Sequence, residues 1–303
     1  MADVIIESDL TLYELQDPPI GEAEKAVAQY AAEMVHDGDC IQLGFGGIPN
    51  AIGFELMNRH DLGIHTEQIG ASMAHMIQSG VVTNRYKNLD RGWSVGAFII
   101  ADNFTYNYVN NHPRIMMRRG RYTNDPMIIA QQDNMVSINA ALQIDLTGQV
   151  AAEAIGTVQW SGTGGATDYA YGAYHSRGGR AMLCQISTAK KGTVSRIAPI
   201  LDPGSIVSVS RNLTDMVITE YGVAKLRQRT VKQRVENLIA VAHPDFRAEL
   251  RKEANKVFDA RDERLKSMTD ESVPVFYSCI MCQAFSPSHV CIVTPERLGL
   301  CGA

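Results

Sequence analysis

The amino-acid sequence predicts an α/β fold built on a mixed sheet. Three features predict it: apolar runs of strand length recur along the chain, segments with helical apolar spacing separate them, and glycine, proline and aspartate punctuate the joins. Of the 303 residues, 45% are apolar and 20% charged, enough for one large core or two modest ones.

The elements follow in order. Ala23, Ala26, Val27, Tyr30, Ala31 and Met34 make an apolar stripe, so 21–35 is expected to be a helix that Asp37-Gly38-Asp39 ends. Cys40-Ile41-Gln42-Leu43-Gly44 reads as a short buried strand. Gly46-Gly47 breaks it, and Pro49 suits the first turn of a helix through Ala51, Ile52 and Leu56. Further strands are expected at 95–101, 135–139, 181–186, 206–210 and 215–219. Helices are expected at 223–228 and 231–241, and His243-Pro244-Asp245-Phe246-Arg247 opens a charged helix reaching about Lys266. The composition changes near Thr269-Asp270-Glu271-Ser272, which divides an α/β domain at 1–268 from a Cys-rich tail at 269–303.

Charge and apolar content narrow the classes. A net charge of −5 disfavours an extended nucleic-acid surface, while a local basic pocket for a phosphorylated ligand stays open. The start, Met1-Ala2-Asp3-Val4-Ile5-Ile6-Glu7, lacks the basic and apolar regions of a signal peptide. Apolar runs such as 95–101 are too short to span a bilayer, and a cytoplasmic location is expected. Cys40 and Cys184 sit singly among apolar neighbours, as small core residues do.

Two glycine clusters and one carboxylate suggest chemistry. Gly44-Phe45-Gly46-Gly47-Ile48-Pro49 lies between a strand end and a helix start, where helical amides lack internal partners and favour negative charge. It is neither a phosphate-binding Walker loop nor a dinucleotide fingerprint, because no Gly-Lys-Ser/Thr follows and Pro49 takes the third glycine position. A plain tight turn fits it equally well. Ser161-Gly162-Thr163-Gly164-Gly165-Ala166-Thr167-Asp168-Tyr169 places three glycines within four residues, so backbone comes close to something there. About twenty residues after the first loop comes Gly63-Ile64-His65-Thr66-Glu67. A carboxylate can attack a thioester, and backbone amides can hold the resulting oxyanion.

These segments resemble the C-terminal half of the acetyl-CoA hydrolase/transferase family, near the 4-hydroxybutyrate and butyryl-CoA:acetate CoA-transferases. The resemblance runs from about Leu12 to Phe258. Beyond Gly63–Glu67 it is carried by Asn134-Met135-Val136-Ser137-Ile138-Asn139, Asp145-Leu146-Thr147-Gly148-Gln149-Val150, Ser195-Arg196-Ile197, Val217-Ile218-Thr219-Glu220-Tyr221-Gly222 and Ala242-His243-Pro244-Asp245-Phe246-Arg247. It implies a class I CoA-transferase-like domain. It further implies that Glu67 is the nucleophile bearing a coenzyme A thioester, and that the Phe45 and Gly165 amides form an oxyanion hole. Asn124 and Glu220 would be polar side chains around the reacting carbonyl. Coenzyme A would be met by Gly44, Phe45, Gly46, Gly47, Ile48, Gly164, Gly165 and either Lys190 or Lys191.

Two segments depart from the family pattern and bear on the choice of substrate. Gln68-Ile69-Gly70-Ala71-Ser72 stands where the family has Met and a Ser-Asp-Gly run. Ala166-Thr167-Asp168-Tyr169 and Tyr171-Gly172-Ala173 replace Gln-x-Asp-Phe and Arg-Gly-Ala. The expected function is a ping-pong CoA-transferase acting on a short-chain acyl-CoA and a carboxylate such as acetate. Its alternatives are an acyl-CoA hydrolase or a non-catalytic CoA-binding, cluster-bearing assembly subunit. Because the resemblance begins almost at Met1, a separate subunit supplying the family's N-terminal α/β domain is the expected partner, in a heteromer.

Cys279, Cys282, Cys291 and Cys301 crowd the last 25 residues, which points to metal before disulfide in a cytosolic protein. The run from Cys282 through Pro287, His289, Cys291, Pro295 and Arg297 to Cys301 resembles the iron–sulfur segment of the acetyl-CoA synthase A-cluster. That resemblance implies a [4Fe–4S] cluster; tetrahedral zinc and free thiols are the other expectations. The further cysteine pair that would bind nickel has no counterpart.

Overall fold

The structure is a computed structural model that describes residue 4, residues 6–15 and residues 19–267. Cys279, Cys282, Cys291 and Cys301, with the metal site expected of them, lie outside the described residues. Six strands form the main sheet: β1 (Cys40–Leu43), β2 (Gly63–Ile64), β3 (Met135–Ala140), β4 (Arg180–Cys184), β5 (Met216–Thr219) and β6 (Gly222–Lys225). Its order is β6-β5-β4-β3-β1-β2, with every pairing parallel except β5 to β6. The mixed α/β sheet expected from the sequence is therefore present.

Alternate strand residues serve two cores, one on each face. Cys40, Met135, Ala181, Leu183 and Val217 pack against α5 (Ala166–His175), α6 (Val231–Ala240) and α7 (Pro244–Ser267). Ile41, Leu43, Val136, Ile138, Met182 and Ile218 pack against α1 (Glu22–Glu33), α2 (Gly47–Glu55) and α3 (Ala71–Gln78), and α4 (Asn103–Val109) lies beside α3. A parallel sheet covered on both faces needs such near-continuous apolar strands. In α1 the expected stripe holds at Val27 and Ala31, which are buried. Helix α6 starts at a reciprocal Thr230/Gln233 capping box. Cys40 and Cys184 are buried core residues as expected, and burial pushes the Cys40 thiol up to about 11.

Three expected elements take other forms. The expected helix at 223–228 is instead strand β6. Gly222, at φ 124, reverses the chain after Tyr221, and Ala224 is buried against the sheet. A turn only glycine adopts readily overrides a locally helical pattern. The expected strand at 206–210 is irregular; only Val209 bridges, to Val150, while Ile206 and Val207 are exposed. The run at 95–101 divides into Ser94–Gly96 and Phe98–Ile99, outside the main sheet. It breaks at Ala97 because the Ala97 and Phe98 amides both turn to the Glu67 carbonyl, at 2.7 and 3.1 Å. No helix among the described residues is long and apolar enough to cross a membrane.

Candidate active site

The strand order reverses between β1 and β3, since the chain pairs β2 on one side of β1 before placing β3 on the other. Open α/β sheets leave a crevice beyond the strand carboxyl ends at such a point. Here a cleft of about 450 Å³ lies there, lined by Gly44 and Phe45 after β1, Glu67 after β2, Asn139 and Ala140 at the end of β3, and Ser161 to Thr167.

Each residue of Gly63–Glu67 has a local physical reason. A Cβ on Gly63 would sit 2.7 Å from Lys87 Cγ, so glycine leaves room for that buried lysine. Lys87 Nζ donates to the carbonyls of Ile64 and Trp93, at 2.8 and 2.7 Å, and burial lowers its pKa. Ile64 belongs to the α1–α3 core. His65 is fully buried, and its Nε2 donates to the Thr123 carbonyl at 3.0 Å. Burial first, and the Lys87 charge second, lower the His65 pKa to about 4, so the ring is neutral at pH 7. Thr66 Oγ1 donates to the Gln68 carbonyl at 3.0 Å and turns the chain. Glu67 emerges half-buried at the cleft, its carbonyl held by the two amides described above.

Opposite Glu67 stands Gly165, the N-cap of α5. A Cβ on Gly165 would lie 2.6 Å from Glu67 Oε2 and 2.5 Å from Asn124 Nδ2, so the three residues converge on one point. Glycine is needed here for space; its φ of −79 is open to any residue. Asn124 follows a short helix, Gly120–Thr123, and its Oδ1 accepts from Thr123 Oγ1 at 2.9 Å, which leaves its NH₂ directed toward Glu67 and Gly165. Burial raises the pKa of Asp168, and the nearby Glu67 charge adds to that. The Phe45 and Gly165 amides donate no hydrogen bond among the described residues. Gly46 takes φ 122, a conformation reserved for glycine, as it passes from the Phe45 amide into α2.

Other expected residues lie elsewhere. Glu220 follows β5, accepts from Ser187 N and Oγ at 2.8 and 2.6 Å, and is not among the residues lining this cleft. Lys190 and Lys191 occupy the exposed tip of a hairpin, both in the left-handed region at φ 48 and 57. Gly162 and Gly164 have no described atom near the Cβ position, so among the described residues only Gly165 of that cluster makes a close approach. Of the departing segments, Gln68 anchors through Nε2 to the Ile100 carbonyl at 2.8 Å, and Gly70, Ala71 and Ser72 line a second cleft beyond the Gly44–Gly46 loop. Tyr169 is fully buried and donates to the Thr123 carbonyl at 2.8 Å, beside His65.

Sequence reasoning missed several cleft residues. Gln42 and Asn139 exchange side-chain hydrogen bonds of 2.9 and 3.1 Å between β1 and β3, and a Cβ on Gly44 would strike Asn139 Oδ1. Polar amides inside apolar strands were the available signal. Phe98, Glu153, Trp160 and Ser208 gave no such signal, because tertiary folding alone brings them to the cleft.

A doubly covered α/β sheet thus brings a carboxylate, an amide side chain and two glycine-capped helix starts together at its switch point. The chain belongs to the acetyl-CoA hydrolase/transferase family, matching its C-terminal domain over residues 102–254. It is 46% identical over 255 residues to a succinyl-CoA:cyclohexane-1-carboxylate CoA transferase of Geobacter metallireducens, covering 84% of this chain and 58% of that protein. It is 44% identical over 256 residues to a 4-hydroxybutyrate coenzyme A transferase of Clostridium kluyveri, covering 84% of this chain and 60% of that protein. The crystal structure of RipA from Yersinia pestis superimposes with a TM-score of 0.79 at 43% identity, covering 82% of this chain and 56% of that one. The chain thus spans under two thirds of the length of these relatives. Residues 258–303 match the C-terminal domain of the ACS/CODH beta subunit. Among the described residues, no group of three or more His, Cys, Asp or Glu side chains is placed to hold a metal ion.

Proposed function

We propose that this chain transfers coenzyme A between a short-chain acyl-CoA and a carboxylate such as acetate, through a thioester on Glu67. The observation that supports it is the convergence of Glu67 Oε2 and Asn124 Nδ2 on the space left by Gly165. Glu67 attacks the acyl carbonyl, forming a C–O bond and an acyl-glutamyl anhydride as the C–S bond breaks and CoA thiolate leaves. The thiolate attacks the glutamyl carbonyl, releases the first carboxylate and leaves glutamyl-CoA. An incoming carboxylate reverses both steps, departs as a new acyl-CoA and frees Glu67. Dividing the exchange in this way gives ping-pong kinetics. The Phe45 and Gly165 amides hold the oxyanion, each donor contributing ~3–4 kcal/mol by analogy with other acyl-transfer sites. Asn124 orients the Glu67 carboxylate, and Lys190 or Lys191 contacts coenzyme A. Glu220, held by Ser187, is the remaining polar group assigned to the reaction.

In the same proposal a separate subunit supplies a second α/β domain that closes the cleft, in a cytoplasmic heteromer. Phe45 and Trp160, 56% and 68% exposed at the cleft, support this, since apolar side chains grouped at a rim mark interfaces. The four tail cysteines are assigned to a [4Fe–4S] cluster, with zinc as the alternative; no step of the transfer passes through it.

The test is acyl-CoA addition to the protein with any co-purifying partner, then borohydride trapping and peptide mass spectrometry. Reduction of Glu67 in a CoA-dependent manner is expected, and none in Glu67→Ala. Full turnover by Glu67→Ala would overturn the assignment. Product partition with and without acetate separates transfer from hydrolysis, in which water resolves the same thioester.

A further inference from the structure

Glu153 is nine-tenths buried at the base of the cleft, 5% exposed, and Glu67 is the only other charged residue among the described residues that line it. Its backbone carbonyl accepts from the Trp160 and Ser161 amides at 2.7 and 3.3 Å, fixing the start of the glycine loop. Its Oε1 accepts from Ser208 Oγ at 3.1 Å. The Ser208 carbonyl in turn accepts from Thr167 Oγ1 in the first turn of α5, two residues past Gly165. Glu153 therefore holds both ends of the segment that presents the Gly165 amide.

One unmet need and one set of free donors adjoin it. Glu153 Oε2 is buried and has no partner among the described residues. The Gly162, Thr163 and Gly164 amides of the exposed loop donate no hydrogen bond either. Leaving a buried carboxylate oxygen unpaired is costly, and such groups call for a functional explanation.

We propose that Glu153 is a positioning residue for the glycine loop, its free Oε2 accepting a loop amide as residues 161–165 settle over a bound acyl-CoA. This rests on the transfer reading above, in which the Gly165 amide is an oxyanion donor. It adds a residue that never touches the reacting atoms and acts through the loop.

Two measurements on the protein, purified with any partner, test it. Hydrogen exchange with and without butyryl-CoA reads the loop directly: the Gly162–Gly165 amides gain protection in the unsubstituted protein and lose that gain in Glu153→Ala. Single-turnover labelling of Glu67 at saturating butyryl-CoA reads the chemistry. In Glu153→Ala it slows about a hundredfold, as for loss of one oxyanion donor, with Kd for butyryl-CoA within about threefold and the thermal transition retained. Glu153→Gln can offer its one oxygen to the loop amide while its NH₂ donates to Ser208 Oγ, and recovers to within about tenfold of the original rate. Labelling at the original rate in Glu153→Ala, or unchanged loop protection, overturns the proposal. So does a Glu153→Gln variant as slow as Glu153→Ala. Failure of the unsubstituted protein to label Glu67, with the loop still protected by ligand through Glu153, overturns the transfer reading while leaving the loop contact standing.

Discussion

Gly165 and Glu67 share one space: a methyl carbon on the glycine would lie 2.6 Å from the carboxylate oxygen of the glutamate. Real Cβ atoms do not approach that closely, so Gly165→Ala must displace Glu67, Asn124 or the start of α5. The backbone is unstrained at φ −79, so the effect is purely steric. Overpacking of this kind costs about 1–3 kcal/mol. Glu67 labelling in Gly165→Ala is expected to fall at least about a hundredfold, as for a lost oxyanion donor. Unaltered labelling would show that the site tolerates the shift.

The space under Gly63 belongs to Lys87. Gly63→Ala drives a methyl into the lysine stem and is expected to destabilise by about 1–3 kcal/mol. Lys87→Met removes the donor to the Ile64 and Trp93 carbonyls. It is expected to destabilise by about 1–3 kcal/mol for each buried acceptor left unpaired. Urea unfolding of both variants checks these values.

Tyr169→Phe should be mild. The lost hydroxyl bonds the Thr123 carbonyl, which keeps His65 Nε2 as a donor, so no buried acceptor is orphaned. A loss of about 1 kcal/mol is expected by thermal unfolding, with Glu67 labelling within a few-fold. A much larger loss would mean the hydroxyl also sets the packing of α5.

His65 predicts a pH dependence. Its pKa falls from 6.5 to about 4 on folding, through burial and the Lys87 charge, with the bond to the Thr123 carbonyl and then Asp90 opposing. The unfolded chain therefore takes up the proton first as pH falls. This contribution is present above pH 6.5 and is lost as pH drops toward about 4. Its full size is about 3 kcal/mol. Urea midpoints measured across that window should fall with pH, and His65→Gln should flatten the slope.

The tail predicts metal. Anaerobically purified protein is expected to hold iron and sulfide, with a visible absorbance that Cys282→Ser and Cys291→Ser abolish. Zinc without iron would select the tetrahedral alternative. Neither metal would dispose of both.

The sequence by itself determined the elements with strong local signals. The stripe of α1, the helical pattern of α6 and the apolar strands β1, β3, β4 and β5 are period and composition, which act over a few residues. It also marked Glu67 and both glycine clusters as candidate chemistry, though a glutamate following His65 and Thr66 states nothing about its surroundings. Local reading failed where a backbone pairing or turn outside the segment decided the outcome. Residues 223–228 look helical until Gly222 folds them back on β5, and 95–101 look like one strand until the Glu67 carbonyl draws two of its amides away.

Only the tertiary structure decided which candidates meet. Parallel pairing of β1 with both β2 and β3 creates the switch point, and that topology brings Asn124, Glu153 and Gly165 to Glu67 from far along the chain. It leaves Glu220 with Ser187 and the lysines on a hairpin tip. The reason is physical: strand and helix formation are written in neighbouring residues, whereas a site is written in the register of the sheet, where contacts between distant residues are selected by the burial of both faces at once.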